Sequence, residues 1–193
     1  MAEINTLAVA NLELFAVHSG VVSGPGGVLA FPAASGAGKS TITAACLMAG
    51  FEYLSDEALI LTDDGRVVPY PKPLSLSAET RRLLGLGNSV WPEAGLEEVA
   101  MTPVELGASV GPGGSELRHV LILERGTGPS TTLIRQPSAD TVTVLLRYSF
   151  NHYLRPEAAY RLACRVAARS EVWRLKLGHP AEAAELILTR LAT

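Results

Sequence analysis

The chain has 193 residues, of which 48% are hydrophobic and 18% charged, and its net charge at pH 7 is -3. This length and composition predict one folded domain over residues 1–193 with a sizeable core, and they argue against a disordered chain. The small negative charge argues against a general binder of nucleic acid or of a membrane surface, and no apolar run approaches the roughly 20 residues that span a bilayer.

The first part of the chain predicts a strand hairpin that leads into a helix. Strands are predicted over residues 4–17 and 27–31, with the turn SGPGG at 23–27 between them. A helix over 39–49 ends at a glycine, and a further strand follows at 51–55.

The middle of the chain is less regular. A hairpin is predicted around the turn at 63–65, and a short helix at 78–84. Residues 85–115 are rich in glycine and proline, and we expect them to form a long loop that is a lid, a substrate loop or a mobile segment.

The last third predicts alternating strands and helices. Strands are predicted at residues 119–124, 131–134 and 171–177. Helices are predicted at residues 138–149, 156–168 and 180–191.

Localisation and thiol state are predicted from the N-terminus and the cysteines. The start MAEINTLAVA lacks the basic residues and the apolar run of a signal peptide, so we expect a cytoplasmic protein. Cys46 and Cys164 both lie in predicted helices. We expect them to be buried free thiols.

The stretch FPAASGAGKSTIT at 31–43 is close to the phosphate-binding pattern G-x-x-x-x-G-K-[ST], with Ala33 in place of the first glycine. In such a loop, backbone N–H groups and the start of a helix attract phosphate, and glycines allow positive φ. Gly36 and Gly38 are both present, and alanine at position 33 costs little if its φ is negative. The alternative is a glycine-rich helix cap without a ligand.

Each polar residue of this loop has an expected role. Lys39 would reach the β- and γ-phosphates of a nucleotide, and the Ser40 hydroxyl would bind Mg²⁺. The residues expected to contact the nucleotide are Ser35, Gly36, Ala37, Gly38, Lys39, Ser40 and Thr41.

Two acids follow the strand at 51–55. The helix carries the chain about 16 Å away from the loop, and the strand returns it by a similar distance. Asp56 and Glu57 are therefore expected beside Lys39. One acid could hold Mg²⁺ while the other accepts a proton from an attacking hydroxyl. The alternative is a solvated turn.

Four short segments together resemble a known family: HSGVV at 18–22, SGAGKST at 35–41, YLSDE at 53–57 and PYPKPL at 69–74. They resemble the C-terminal catalytic domain of HPr kinase/phosphorylase. They are closer still to its smaller bacterial relatives, the HPr-kinase-like serine kinases, some of which phosphorylate precursors of ribosomal peptides. The resemblance is strong over residues 14–76 and weaker over 119–193.

The resemblance implies an α/β fold of the phosphoenolpyruvate-carboxykinase-like P-loop type, with mixed β-sheets and flanking helices. It implies that Asp56 is the catalytic base, that Lys39 and Ser40 bind phosphate and metal, that Glu57 lies near the metal, and that His18 lies near the phosphates. By itself, a lone histidine is more often structural.

A basic side chain that stabilises transition-state charge is also expected. The candidates are Arg147, Lys72 and Arg155, and the sequence does not choose among them. A solvated arginine on a helix surface is the plainer interpretation of each arginine.

The leading hypothesis is an ATP- or GTP-dependent kinase, with Mg²⁺, that phosphorylates a serine of a protein or precursor peptide. The alternatives are a small-molecule kinase, for example on free serine, a non-catalytic nucleotide-binding regulator, or a plain structural domain. We expect no nucleic-acid or membrane partner. A homo-oligomer is compatible with the family, whose parent enzymes form hexamers.

Overall fold

The computed structural model describes residues 8–87, 98–126, 128 and 130–191. Residues 4–7 of the first predicted strand and residues 88–97 of the predicted loop lie outside this part of the chain. The strands are β1 (Phe15–Gly24), β2 (Gly27–Pro32), β3 (Glu52–Ser55), β4 (Ala58–Leu61), β5 (Val67–Val68), β6 (Leu74–Ser77), β7 (Glu98–Met101), β8 (Leu117–Arg125), β9 (Thr132–Gln136) and β10 (Glu171–Leu177). The helices are α1 (Lys39–Met48), α2 (Ala78–Leu83), α3 (Ala139–Arg147), α4 (Pro156–Ala167) and α5 (Pro180–Leu191), with a 3₁₀ turn at Val104–Leu106.

The fold is mixed α/β, with a mixed parallel and antiparallel sheet and flanking helices, as expected. The main sheet has the order β5-β4-β1-β2-β8-β10-β9, and β3 also pairs with β1. β2, β8 and β10 are parallel to one another, and β9 is antiparallel to β10. A separate two-stranded sheet is formed by β6 and β7.

β1 is the strand around which the other elements are arranged. It pairs antiparallel with β2 on one side and with β3 and β4 on the other. β2 and β3 therefore run in the same direction on either side of β1. Their carboxyl ends face the same part of it, because Ser19 pairs with Pro32 and Val21 with Ser55.

The two faces of the sheet form separate cores. Leu29 and Phe31 of β2 pack in the core shared with α1 and α5, whereas Val28 and Ala30 pack in the core shared with α3 and α4. This alternation is required of a strand that is buried on both faces, because successive side chains point in opposite directions. It places α1 on one face of the sheet, starting just beyond the end of β2.

β1 and α1 approach each other closely at Gly20. A Cβ atom at this position would lie 2.3 Å from Thr43 Oγ1 and 3.5 Å from Phe31 Cδ2. Thr43 is fully buried, and its hydroxyl has no hydrogen-bond partner. The missing side chain at Gly20 therefore sets how near the helix lies to the sheet.

We expect Gly20→Ala to lower the free energy of unfolding by about 1–3 kcal/mol, because the new methyl group overlaps a buried hydroxyl. Urea denaturation measures the loss. Gly20→Ala/Thr43→Ala should recover most of it, since Thr43 Cβ is 3.6 Å from the added atom, an ordinary contact distance. Thr43→Ala alone is the control. An equal loss in the single Gly20 variant and the double variant would contradict this packing argument.

Residues 8–14 do not continue β1 towards the N-terminus, so this part of the predicted strand over 4–17 is wrong. The side chain of Asn151 takes the place of a neighbouring strand. Its Oδ1 accepts a hydrogen bond from the Ala16 amide at 3.1 Å, and its Nδ2 donates to the carbonyl oxygens of Leu12 and Leu14. A buried side-chain amide thus satisfies backbone groups that a strand partner would otherwise have satisfied.

The prediction of one long irregular loop at 85–115 is wrong for β7 and the 3₁₀ turn at Val104–Leu106. β7 pairs with β6, and the following residues form backbone hydrogen bonds with β3 and β5. The Tyr53 amide donates to Ser109 O at 2.8 Å, and the amides of Gly111 and Gly114 donate to Tyr53 O and Val67 O. These bonds hold the segment against the main sheet, so a lid is no longer expected there.

The remaining predicted elements are present, with ends that shift by one or two residues. Cys46 is buried and Cys164 half-buried, and both are free. In the described part of the chain, no helix is long and apolar enough to cross a membrane.

Candidate functional site

The glycine-rich loop, residues 33–38, connects β2 to α1. Gly36 and Gly38 have φ values of 74° and 99°, in the left-handed region that favours glycine. Among the described residues no other residue type has a positive φ, so Ala33 has a negative φ and alanine costs little there. Gly38 is the N-cap of α1, and no side chain caps this helix end. The start of α1 is therefore open to an anion.

Lys39 is the first residue of α1, and its side chain folds back onto the glycine-rich loop. Its Nζ donates hydrogen bonds to the carbonyl oxygens of Ala33 at 3.2 Å and Ala34 at 2.9 Å. The residue is 6% exposed. Burial lowers its pKa, while Asp56 and Glu57 oppose the shift. The carbonyl oxygens of the loop thus hold a cation against it.

Asp56 lies next to the first turn of α1. The Ser40 hydroxyl donates to Asp56 Oδ2 at 2.7 Å. The other carboxylate oxygen, Oδ1, is buried and has no hydrogen-bond partner. An orphaned buried carboxylate oxygen beside a helix N-terminus is the least satisfied polar group of the site.

The turn that presents Asp56 and Glu57 interrupts a strand rather than ending one. β3 and β4 both pair with β1, and the two acids lie between them. The Ser55 hydroxyl accepts hydrogen bonds from the amides of Glu57 and Ala58, and the Ser19 amide donates to Glu57 O. The backbone of the turn is therefore satisfied by local bonds and by β1, which leaves the carboxylates for other partners.

A second cluster lies beside the first. Glu57 is ion-paired with Lys72, and its Oε1 is 3.9 Å from His18 Nε2. Tyr53 fixes the backbone of Lys72, since its hydroxyl donates to Lys72 O at 2.7 Å. The His18 ring packs against Phe150 at a centroid distance of 5.4 Å. Burial and the charge of Lys39 lower the pKa of His18, so it is neutral at physiological pH.

Asp56 is held in an unfavourable environment for a negative charge. Burial raises its pKa from 3.8 to about 7, although the Ser40 hydroxyl, Lys72 and Lys39 partly offset the shift. A carboxyl whose pKa lies near 7 exchanges protons readily at neutral pH. A cation beside Oδ1 would instead favour the charged form.

The raised pKa of Asp56 predicts that the free energy of unfolding falls as the pH rises from about 4 to about 7. Across that range the folded protein keeps the Asp56 proton that the unfolded chain has lost. Asp56→Asn should remove this fall and raise the free energy of unfolding at pH 8 by roughly 2–4 kcal/mol. Urea denaturation at pH 5 and pH 8 tests it, with the exposed Asp63→Asn as control. Parallel pH profiles for wild type and Asp56→Asn would contradict the prediction.

The donor set suits Mg²⁺ better than a metal bound by protein alone. Within the described ranges there is no group of three or more His, Cys, Asp or Glu side chains that could hold a metal. Ser40 and Asp56 nevertheless bring two oxygen donors together, and Asp56 Oδ1 has no other partner. Mg²⁺ commonly takes one or two protein oxygens and completes its shell with phosphate and water. The residues present therefore fit such an ion.

The three basic candidates have different surroundings. Lys72 is part of the acidic cluster through Glu57. Arg147 packs over the ring of Tyr148. The carbonyl oxygen of Tyr148 accepts a hydrogen bond from the His18 amide, so Arg147 lies on a segment next to His18. Arg155 lines a separate cavity and donates to Glu13 O at 3.4 Å. Lys72 is the candidate that the structure places in direct contact with a predicted site residue.

One side-chain contact that holds the site together was not predicted from the sequence. The hydroxyls of Thr41 and Thr80 are 2.9 Å apart, which connects α1 to α2. Ser77 caps α2 by accepting from the Thr80 amide, and a serine before a short helix is a recognisable cap signal. The contact with Thr41 spans 39 residues, and no local pattern indicates it.

The chain matches no protein-family model, and no curated protein is detectably similar to it.

Proposed function

We propose that the protein is a kinase that transfers the γ-phosphate of ATP or GTP to a serine hydroxyl of a protein or precursor peptide. The observation that carries the proposal is the state of Asp56. Its carboxylate is buried, is held by the Ser40 hydroxyl beside the glycine-rich loop, and retains one oxygen without a partner. A buried carboxylate is costly unless it has a partner in the working state.

Asp56 is the proposed general base. Its Oδ1 is free to accept the proton of an attacking hydroxyl, while Oδ2 is held by Ser40. A base is most effective when its pKa is near the operating pH, and burial raises the pKa of Asp56 to about 7. The hydrogen bond from Ser40 fixes the carboxyl, so that the acceptor meets it in one orientation.

Lys39 and Lys72 are the proposed cationic groups. Lys39 lies inside the loop, where it would neutralise the terminal phosphates together with the N–H groups at the start of α1. Lys72 is paired with Glu57, the neighbour of Asp56, and is positioned by it. Neutral His18 can donate or accept a hydrogen bond at this edge without adding charge.

Ser40 would hold Mg²⁺ with Glu57 nearby, which leaves Asp56 Oδ1 for the proton of the acceptor. The ion would supply positive charge next to the β- and γ-phosphates. Ser40 and the two acids come from elements that meet only in the folded chain, the first turn of α1 and the turn between β3 and β4.

The assignment of the fold to the HPr-kinase-like P-loop class is part of the same proposal. A P-loop domain of the HPr-kinase-like class has a mixed sheet with flanking helices, and the observed sheet agrees with that coarse description. We assign the acceptor to the protein or peptide class on the resemblance of the motifs. A homo-oligomer is an expectation that rests on the same ground, and a cytoplasmic location is part of the proposal.

The direct test is incubation with Mg²⁺, labelled ATP and candidate peptides encoded near the gene, followed by mass spectrometry. A gain of one phosphate on a peptide serine is the expected result. Phosphorylation of free serine or another metabolite instead would support a small-molecule kinase. Tight ATP binding with no transfer to any acceptor and no hydrolysis would support a nucleotide-binding regulator.

A further inference from the structure

A mostly apolar groove of about 540 Å³ adjoins the glycine-rich loop on the side away from the acids. Its wall includes Leu83 at the end of α2 and Leu177 at the end of β10, and Thr41 belongs to both the groove and the first turn of α1. Its volume is within the range of sites for small molecules, about 300–1,000 Å³. Neither the acids nor His18 line it.

The side chains of Ser40 and Thr41 face different sides of the glycine-rich loop. Successive residues of a helix point about 100° apart, so two neighbours face different directions. The Ser40 hydroxyl faces Asp56, whereas the Thr41 hydroxyl faces Thr80 of α2. A polyphosphate in the loop would have one end beside Asp56 and the other end over Thr41.

The groove begins where that second end would leave the loop. Ala37 and Gly38 of the loop are part of its lining. Leu177 lies directly over the loop, since a Cβ added at Gly38 would be 3.3 Å from Leu177 Cδ1. Loop and groove therefore form one continuous surface, polar at the phosphate end and apolar beyond it.

We propose that this groove binds the purine nucleoside of the nucleotide whose phosphates occupy the loop, with Leu83 and Leu177 against the base. The proposal rests on the function proposed above and assigns the part of the site that faces away from the acceptor. Apolar walls suit the faces of a purine ring. His179 and Glu182 lie exposed at the rim, where ribose hydroxyls would meet solvent.

The orphaned oxygen of Asp56 gives an independent reason to place a ligand at the loop. Asp56 is 7% exposed, its Oδ1 lacks a partner, and it does not line the groove. A carboxylate oxygen needs a cation or a hydrogen-bond donor, so a ligand that reaches from Asp56 to Leu177 would carry a metal-bound charged group at one end and an apolar group at the other. A nucleoside triphosphate has this form, whereas inorganic phosphates have only the charged end.

Calorimetry with Mg²⁺ tests the proposal through two ligands, ATP and inorganic tripolyphosphate. The wild type should bind ATP at least about tenfold more tightly than it binds tripolyphosphate. Leu83→Ala and Leu177→Ala should each weaken ATP binding by roughly threefold to tenfold, as expected for loss of part of one leucine contact, and leave tripolyphosphate binding unchanged. Leu154→Ala is the matched control, because this exposed leucine lines the separate cavity near Asn151.

Equal affinities of the wild type for ATP and tripolyphosphate would overturn the groove assignment and leave the loop as a phosphate site. So would equal losses for both ligands in the leucine variants. Failure to bind either ligand would instead overturn the proposed function itself, and the groove assignment with it. If Leu177→Ala does not fold by circular dichroism, Leu83→Ala decides the outcome, because Leu83 is 39% exposed.

Discussion

Lys39→Ala is expected to abolish phosphoryl transfer and to weaken Mg-ATP binding by at least about tenfold. The ammonium group lies inside the loop and is held by two carbonyl oxygens, so its removal takes away the main positive charge next to the phosphates. Calorimetry measures the affinity, and transfer of labelled phosphate to the acceptor peptide measures the rate. Circular dichroism checks that the variant is folded.

Two further variants separate charge from shape at this position. Lys39→Met keeps the buried apolar stem and removes only the charge, so it should behave like Lys39→Ala. Ala33→Gly should change binding by less than about threefold, because Ala33 already has a negative φ. Unchanged ATP affinity in folded Lys39→Met would refute the assignment of the loop as a phosphate site.

Asp56→Asn is expected to slow phosphoryl transfer by about 10²–10⁴-fold while Mg-ATP affinity changes only a few-fold. The substitution keeps the shape of the side chain but removes its capacity to accept a proton, and general-base catalysis typically contributes this much. Single-turnover transfer to the acceptor peptide measures the rate. Normal turnover in Asp56→Asn would show that the acid is only part of a turn.

Glu57→Gln is the comparison that separates the two acids. Glu57 is paired with Lys72 and does not contact Ser40, so its loss should loosen Lys72 and raise the Mg²⁺ requirement. Excess Mg²⁺ should partly rescue Glu57→Gln and should not rescue Asp56→Asn. If both variants respond alike, both carboxylates serve the metal, and the proton must leave the acceptor by another route.

The part of the site that was predictable from the sequence depends on short-range geometry. The glycine-rich loop is defined by consecutive residues, and the position of Asp56 follows from a helix and a strand that cover similar distances in opposite directions. The hydrogen bond from Ser40 to Asp56 agrees with this expected position of Asp56 next to the start of α1. Local pattern and residue count were sufficient there because no long-range contact decides the result.

The parts that were not predictable depend on distant partners. Asn151 satisfies backbone groups near residue 14, and β7 becomes a strand because β6 lies beside it. Four residues such as Glu98–Met101 carry too little alternation to distinguish a strand from a loop. The choice of Lys72 over Arg147 and Arg155 likewise depends on a contact with Glu57, which is 15 positions away.

The central position of β1 has a consequence for how the protein loses activity. His18 is part of this strand, the glycine-rich loop follows a strand paired to one of its edges, and the acids lie between two strands paired to the other. His18, the loop and the two acids are thus all anchored to β1, and β1 cannot leave without opening both cores of the sheet. Inactivation by heat or denaturant should therefore share one midpoint with global unfolding, without an inactive intermediate of native secondary structure.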